Sequence, residues 1–177
     1  MKVIYYCYGG AHSSVIAAAI HLRFLPRDRI PTIKEILDLP HFDKADSKDI
    51  GQCIFMGNDV KDNQVYIMGM GSSRLIVRRA ILSILAVYGH DARDLLMVDA
   101  LSQAGLLIRI GGITSKRLRL VPIGRFFTAL GIRLAYHRFL KLVEGVESSL
   151  GRANCAQTDP SMSSPDSGIN SADFGAG

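Results

Sequence analysis

Eight residues near the N-terminus, Cys7-Tyr8-Gly9-Gly10-Ala11-His12-Ser13-Ser14, gather a thiol, an imidazole and two hydroxyls around a glycine pair. The residues before them, Val3-Ile4-Tyr5-Tyr6-Cys7, are β-branched and aromatic and predict a buried strand. Those after Ser14 predict a helix to about Phe24, with Ser13 or Ser14 as its cap and Val15, Ile16, Ala19 and Ile20 facing inward. In a strand–glycine turn–helix the free N–H groups at the helix start favour an anion. Gly9 and Gly10 let the backbone turn towards it, and Ser13 and Ser14 add donors. Cys7 falls at the carboxyl end of a strand, where α/β sheets hold ligands. It is the candidate nucleophile, and His12 the candidate acid, base or partner of a thiolate.

A second segment has the same grammar. Tyr66-Ile67-Met68 leads into Gly69-Met70-Gly71-Ser72-Ser73-Arg74, again strand, glycines, Ser-Ser, helix. Arg74 adds a charge suited to clamping phosphate. If the two strands are neighbours, Gly69, Gly71, Ser72, Ser73 and Arg74 face the same ligand as the first loop. A third glycine pair, Gly111-Gly112-Ile113-Thr114-Ser115-Lys116-Arg117, with Arg119 and Arg125 beyond, offers Arg117 as a further anion contact.

Several chemistries lack their residues. There is no G-x-x-x-x-G-K-[ST] and no G-x-G-x-x-G. A C-x5-R phosphatase loop needs an arginine six residues after its cysteine, and Ser13 stands there. His12, His21, His41, His90 and His137 are scattered, and Cys7, Cys53 and Cys155 form no C-x-x-C pair, so no metal site is expected. Asp43, Asp59 and Asp99 suit Mg²⁺ or a ribose, or serve as turn and cap residues.

The elements that must position these groups follow from periodicity. A short helix is expected over 31–39, a polar loop over 40–50, strands at 53–56 and 64–68 joined as a hairpin, and a helix from Arg74 to Tyr88. A strand follows at 95–99. Residues 106–110 read as strand or helix end, 113–120 as a basic helical turn, and about 126–150 as a long helix. From Gly151 the composition turns to Ser, Asp, Asn, Gly and Ala, so 151–177 reads as a disordered tail behind one domain, 1–150. The alternation predicts an α/β three-layer sandwich: a mostly parallel sheet, one antiparallel hairpin and a long C-terminal helix.

The 177 residues, 48% apolar, suffice for one real core. The net charge of +5 is uneven: residues 101–150 carry eight Lys/Arg against two Asp/Glu. A basic 109–141 region suits a phosphate-bearing ligand or a protein partner. It lacks the interleaved aromatics of a nucleic-acid platform, so nucleic acid is not expected. The apolar run Val3–Tyr8 is too short for a signal peptide, and no segment reaches a membrane span, so a cytoplasmic protein is expected.

The opening Lys2–Ser14, with Phe42-Asp43-Lys44, Phe55-Met56-Gly57-Asn58-Asp59, Val65-Tyr66-Ile67-Met68-Gly69 and Gly111–Arg117, resembles an uncharacterised family of Gram-positive, often spore-forming bacteria, a domain of unknown function. The resemblance spans about 1–147 and implies no activity. Locally, Cys7, Gly10, Ser13 and Ser14 resemble the phosphocysteine loop of sugar phosphotransferase IIB components, which implies a phosphoryl acceptor. The expected function is binding of a phosphate-bearing small molecule at the first loop, with phosphoryl transfer through Cys7 if there is catalysis. The alternative is a non-catalytic nucleotide- or anion-sensing module with a basic partner-binding face.

Overall fold

The computed structural model describes residues 1–103 and 121–158. Strand β1 (Lys2–Cys7) is followed by helix α1 (Ser13–His21) and a short helix α2 (Ile33–Leu37). Strands β2 (Cys53–Asn58) and β3 (Gln64–Gly69) come next, then helix α3 (Arg74–Val87), strand β4 (Leu95–Asp99) and helix α4 (Val121–Thr158). The sheet order is β2-β3-β1-β4. Strand β1 lies parallel to both β3 and β4, and β2 pairs antiparallel with β3 at the edge. The α/β sandwich, the hairpin and the long last helix are all present.

The sheet faces divide by strand alternation. Val3 and Tyr5, with Val65 and Ile67, join α1, α2 and α4 in the main core, where Ile16, Ile20, Ile36, Ile132, Tyr136 and Phe139 are fully buried. Ile4 and Tyr6, with Met68, face the other way, where Val77 and Ile81 of α3 pack. Arg27 closes the α1 side with two bonds to Glu147 of α4, 2.8 and 2.6 Å.

Several boundaries move for local reasons. Helix α1 is not capped by Ser13 or Ser14: its N-cap is His12, which makes no side-chain cap bond, while Ser13 and Ser14 are the first helical residues and are buried. It stops at His21 because Arg23 turns left-handed, φ 64°. Helix α2 is set by a capping box between Thr32 and Glu35. Strand β2 runs two residues further than composition suggests, through a bulge that places Met56 between Phe55 and Gly57. Helix α4 starts at Val121, where Pro122 is tolerated in a first turn, and continues through Gly151 to Thr158, with no proline until Pro160. The glycine loop at 111–117, with Arg117 and Arg119, and residues 159–177 lie outside the described residues.

Candidate functional site

Strands β1 and β3 are parallel neighbours in the register Cys7↔Gly69. The helices that follow them pack on opposite faces of the sheet. Their connecting loops therefore lead to opposite faces from the carboxyl edge, the position where open α/β sheets hold ligands.

The two glycine loops touch along their backbones. Met70 N–H donates to Cys7 C=O at 3.0 Å and Gly71 N–H to Tyr8 C=O at 2.8 Å. A Cβ on Gly10, where φ is +71°, would fall 2.8 Å from Gly69 N, and one on Gly69 would fall 2.8 Å from Gly9 C. Both positions require glycine, for contact and, at Gly10, for conformation. A Cβ on Gly9 would meet nothing within 4 Å, so that side of the turn is open.

Beneath the turn lies Cys7, buried, with its sulfur held from two sides. Gly10 N–H donates to Cys7 Sγ at 3.2 Å, and Ser14 Oγ lies 3.2 Å from the same atom. Ser14 sits seven residues on, which is one strand end, one turn and the first helical residues. A sulfur in the thiolate form accepts from both donors. Among the described residues, the first backbone N–H of α1 with a helical partner is that of Ile16, bonded to His12 C=O at 2.9 Å. The N–H groups of Ser13, Ser14 and Val15 precede it in the first turn and have no such partner.

His12 is oriented by a residue 31 positions away. Its Nε2 lies 3.0 Å from Asp43 Oδ1, and Asp43 Oδ2 lies 3.3 Å from Nε of Arg125 on α4. A carboxylate only accepts, so Nε2 carries the proton and Nδ1 is the lone-pair side. Phe42, fully buried, sets its ring edge-on to His12 with centroids 5.4 Å apart. Asp43 N–H donates to Ala11 C=O at 3.0 Å, and left-handed His41 and Asp43 flank Phe42. The 40–50 segment is thus not merely a surface loop: it plants Phe42 in the core and lays Asp43 on the turn.

The remaining candidates separate. Ser72 and Ser73 are exposed, and Ser73 is the N-cap of α3 without a side-chain cap bond. Arg74 Nε lies 3.3 Å from Asp99 Oδ2, so this guanidinium spans α3 and β4. Asp99 also accepts from Leu101 N–H at 2.9 Å, a cap role. Asp59 closes the β2–β3 turn, accepting from the N–H groups of Lys61 and Asn63 and from Asn63 Nδ2, each at 2.8 Å. Its Oδ2 also lies 3.1 Å from Nε2 of the buried His21, whose Nδ1 lies 3.0 Å from the Tyr5 hydroxyl. Burial pushes the Tyr5 hydroxyl far above its ordinary range, so it stays a donor. No group of three or more His, Cys, Asp or Glu suited to a metal occurs among the described residues. None of their helices is long and apolar enough to cross a membrane.

Sequence reasoning placed the two glycine loops but missed the Asp43–Arg125 link and the Tyr5–His21–Asp59 cluster. Neither has a local signal, because each joins residues far apart along the chain.

The geometry defines an α/β protein with paired glycine loops at the carboxyl edge of its sheet. A family model described as a protein of unknown function, DUF3189, matches residues 2–148, and the chain belongs to that family. Neither the curated proteins nor the solved structures contain a match to it.

Proposed function

We propose that the Gly9–Ser14 turn binds the phosphate group of a small molecule and that Cys7 accepts a phosphoryl group from it. What supports this reading is the sulfur held between Gly10 N–H and the Ser14 hydroxyl at the start of α1. Loop N–H groups and the Ser13 and Ser14 hydroxyls take the phosphate oxygens. The Cys7 thiolate attacks phosphorus, an S–P bond forms, the donor's P–O bond breaks, and the leaving oxygen takes a proton. Nδ1 of His12, its lone-pair side while Nε2–H is held on Asp43, takes the Cys7 thiol proton and then returns that proton to the leaving oxygen. Arg125 is the described arginine tied to this loop; through Asp43 it stands in for the arginine absent at position 13. Gly69 and Gly71 shape the turn from below, and Arg74 braces α3 on Asp99.

A thermal-shift titration with inorganic phosphate and sugar phosphates tests the site. A ligand that binds only the folded state stabilises it by about 2.7 kcal/mol at a hundredfold excess over Kd. The expected result is a saturable rise that is lost in Ser13→Ala/Ser14→Ala. Absence of any shift would reduce the turn to a structural feature. A radiolabelled phosphoryl donor should mark wild type and not Cys7→Ser. Labelling that survives the substitution removes the acceptor role.

A second reading shares the binding step without transfer. It is favoured by Arg74 and Arg125, both already paired with carboxylates, and by the missing arginine after Cys7. In it the loops sense a nucleotide or other anion, and the basic 109–141 region contacts a protein partner. Binding without labelling selects this reading.

A further inference from the structure

The described arginines differ in how they use their guanidinium forks. Arg27 donates from both Nη groups to the two oxygens of Glu147, at 2.8 and 2.6 Å, and from Nε to Ile20 C=O. Arg29 holds the two oxygens of Glu35 in the same way, at 2.9 and 2.6 Å. Such bidentate pairs leave the fork no face for a further anion. Arg125 meets its carboxylate differently. Its Nε lies 3.3 Å from Asp43 Oδ2, yet this buried Nε has no hydrogen-bond partner. The contact is an ion pair out of line for a hydrogen bond. Its Nη groups bond to none of the described residues, and the side chain is 37% exposed.

Its own helix gives Arg125 no competing acid. Three and four positions away stand Val121, Pro122, Thr128 and Ala129, and the first acid of α4 is Glu144. The carboxylate it does meet lies on the glycine turn. Asp43 N–H donates to Ala11 C=O at 3.0 Å, and Asp43 Oδ1 holds His12 Nε2. One carboxylate therefore separates this guanidinium from the residue that opens α1. Asp43 also brings a negative charge, 17% exposed, to the rim of an anion site. Alone it would oppose a doubly charged ligand, unless a cation offsets it.

We propose that Arg125 is the phosphate-binding arginine of the Gly9–Ser14 turn and makes it select a dianionic phosphoryl group over a monoanion. This inference rests on phosphate binding at that turn. Asp43 steadies the Nε side of the guanidinium, and the unbonded Nη groups take phosphate oxygens. A planar fork matches phosphate as it matches carboxylate. The first-turn N–H groups of α1 carry only partial charge, so by themselves they discriminate weakly between one negative charge and two. A full positive charge reads the second one. The arginine thus comes from the last helix rather than from the loop itself, where Ser13 stands.

Calorimetric titration of the full chain at pH 8 tests this with two isosteres. Phenylphosphonate is largely dianionic there, benzenesulfonate is monoanionic, and neither has an ester bond for Cys7 to break. Wild type should prefer the phosphonate by at least about tenfold, as a charge-assisted bond implies. Arg125→Gln should lose that preference while binding the sulfonate nearly as before. Arg125→Lys keeps the charge without the fork and should fall between the two. Asp43→Asn separates direct binding from mere support of Asp43: it should keep the preference. Equal affinities in wild type, a preference that survives Arg125→Gln, or one that Asp43→Asn abolishes equally, each overturns the role of Arg125 and leaves the turn as an anion site. Binding of neither isostere overturns the site itself, and this inference with it.

Discussion

Among the described residues two histidine–aspartate pairs have nearly equal length, 3.0 Å for His12–Asp43 and 3.1 Å for His21–Asp59. Their surroundings make them different objects. His21 is sealed: its side chain is 0% exposed, its second nitrogen takes the Tyr5 hydroxyl, and Asp59 is saturated by the hairpin turn. His12 is 19% exposed, its second nitrogen has no hydrogen-bond partner among the described residues, and the second oxygen of Asp43 faces Arg125. A closed pair fastens β1, α1 and the β2–β3 turn. An open pair leaves a nitrogen available at the rim of a glycine loop. The bond length says nothing about which is which; the second atom of each group does.

The comparison breaks most readily by deletion. His21→Ala leaves the Tyr5 hydroxyl buried without its partner and a cavity where the imidazole was, while Asp59 keeps its bonds from the hairpin turn, and should cost about 3 kcal/mol in urea unfolding. His12→Ala, at the surface, should cost less than about 1 kcal/mol. Equal losses would mean that both pairs are structural.

Acid sharpens the contrast. Burial lowers the His21 proton affinity below its ordinary 6.5, against the opposing hydrogen bond that Nε2–H donates to Asp59. The unfolded chain therefore takes this proton first, so stability is complete above about pH 6.5 and erodes below it. For one proton the slope reaches at most about 1.4 kcal/mol per pH unit. Asp59 does not contribute in that window. Burial raises its affinity, but bonds from Asn63, Lys61 and His21 outweigh this and hold it below 3.8. His21→Gln should flatten the acid limb of a pH series of melting temperatures; an unchanged limb places the titration elsewhere.

The smallest effect concerns the open pair. Asp43→Asn should change stability by roughly 0.5 kcal/mol, since the bond is partly solvated. It should still redistribute the proton of neutral His12, fixed on Nε2 in wild type, between both nitrogens. Nitrogen chemical shifts of the imidazole report this directly. A tautomer unmoved by the substitution would mean that Asp43 does not orient the ring.

How far all this could be read from the chain depends on distance along it. The strand at Val3–Cys7, the hairpin at Asn58–Asn63 and the serine pairs beside their glycines are local patterns, and their residue types alone carried them. Ser14 was legible as a polar residue at a helix start, but its bond to Cys7 was not, because capping geometry competes with it and only the turn's path decides. The neighbouring of β1 and β3 was conditional in the sequence and is fixed by the sheet pairing, with α1 buried on one face and α3 packed by Val77 and Ile81 on the other. Phe42-Asp43 looked like part of a polar loop because nothing nearby in the chain signals that one ring would be buried beside His12.

The contact between Gly10 and Gly69 carries a different kind of consequence. Each fills the space where the other's side chain would begin. The first loop is therefore not a portable cassette. Grafting Cys7–Ser14 onto another α/β scaffold, or diversifying it in a library, requires carrying the end of β3 along. Two segments some sixty residues apart behave as a single heritable part.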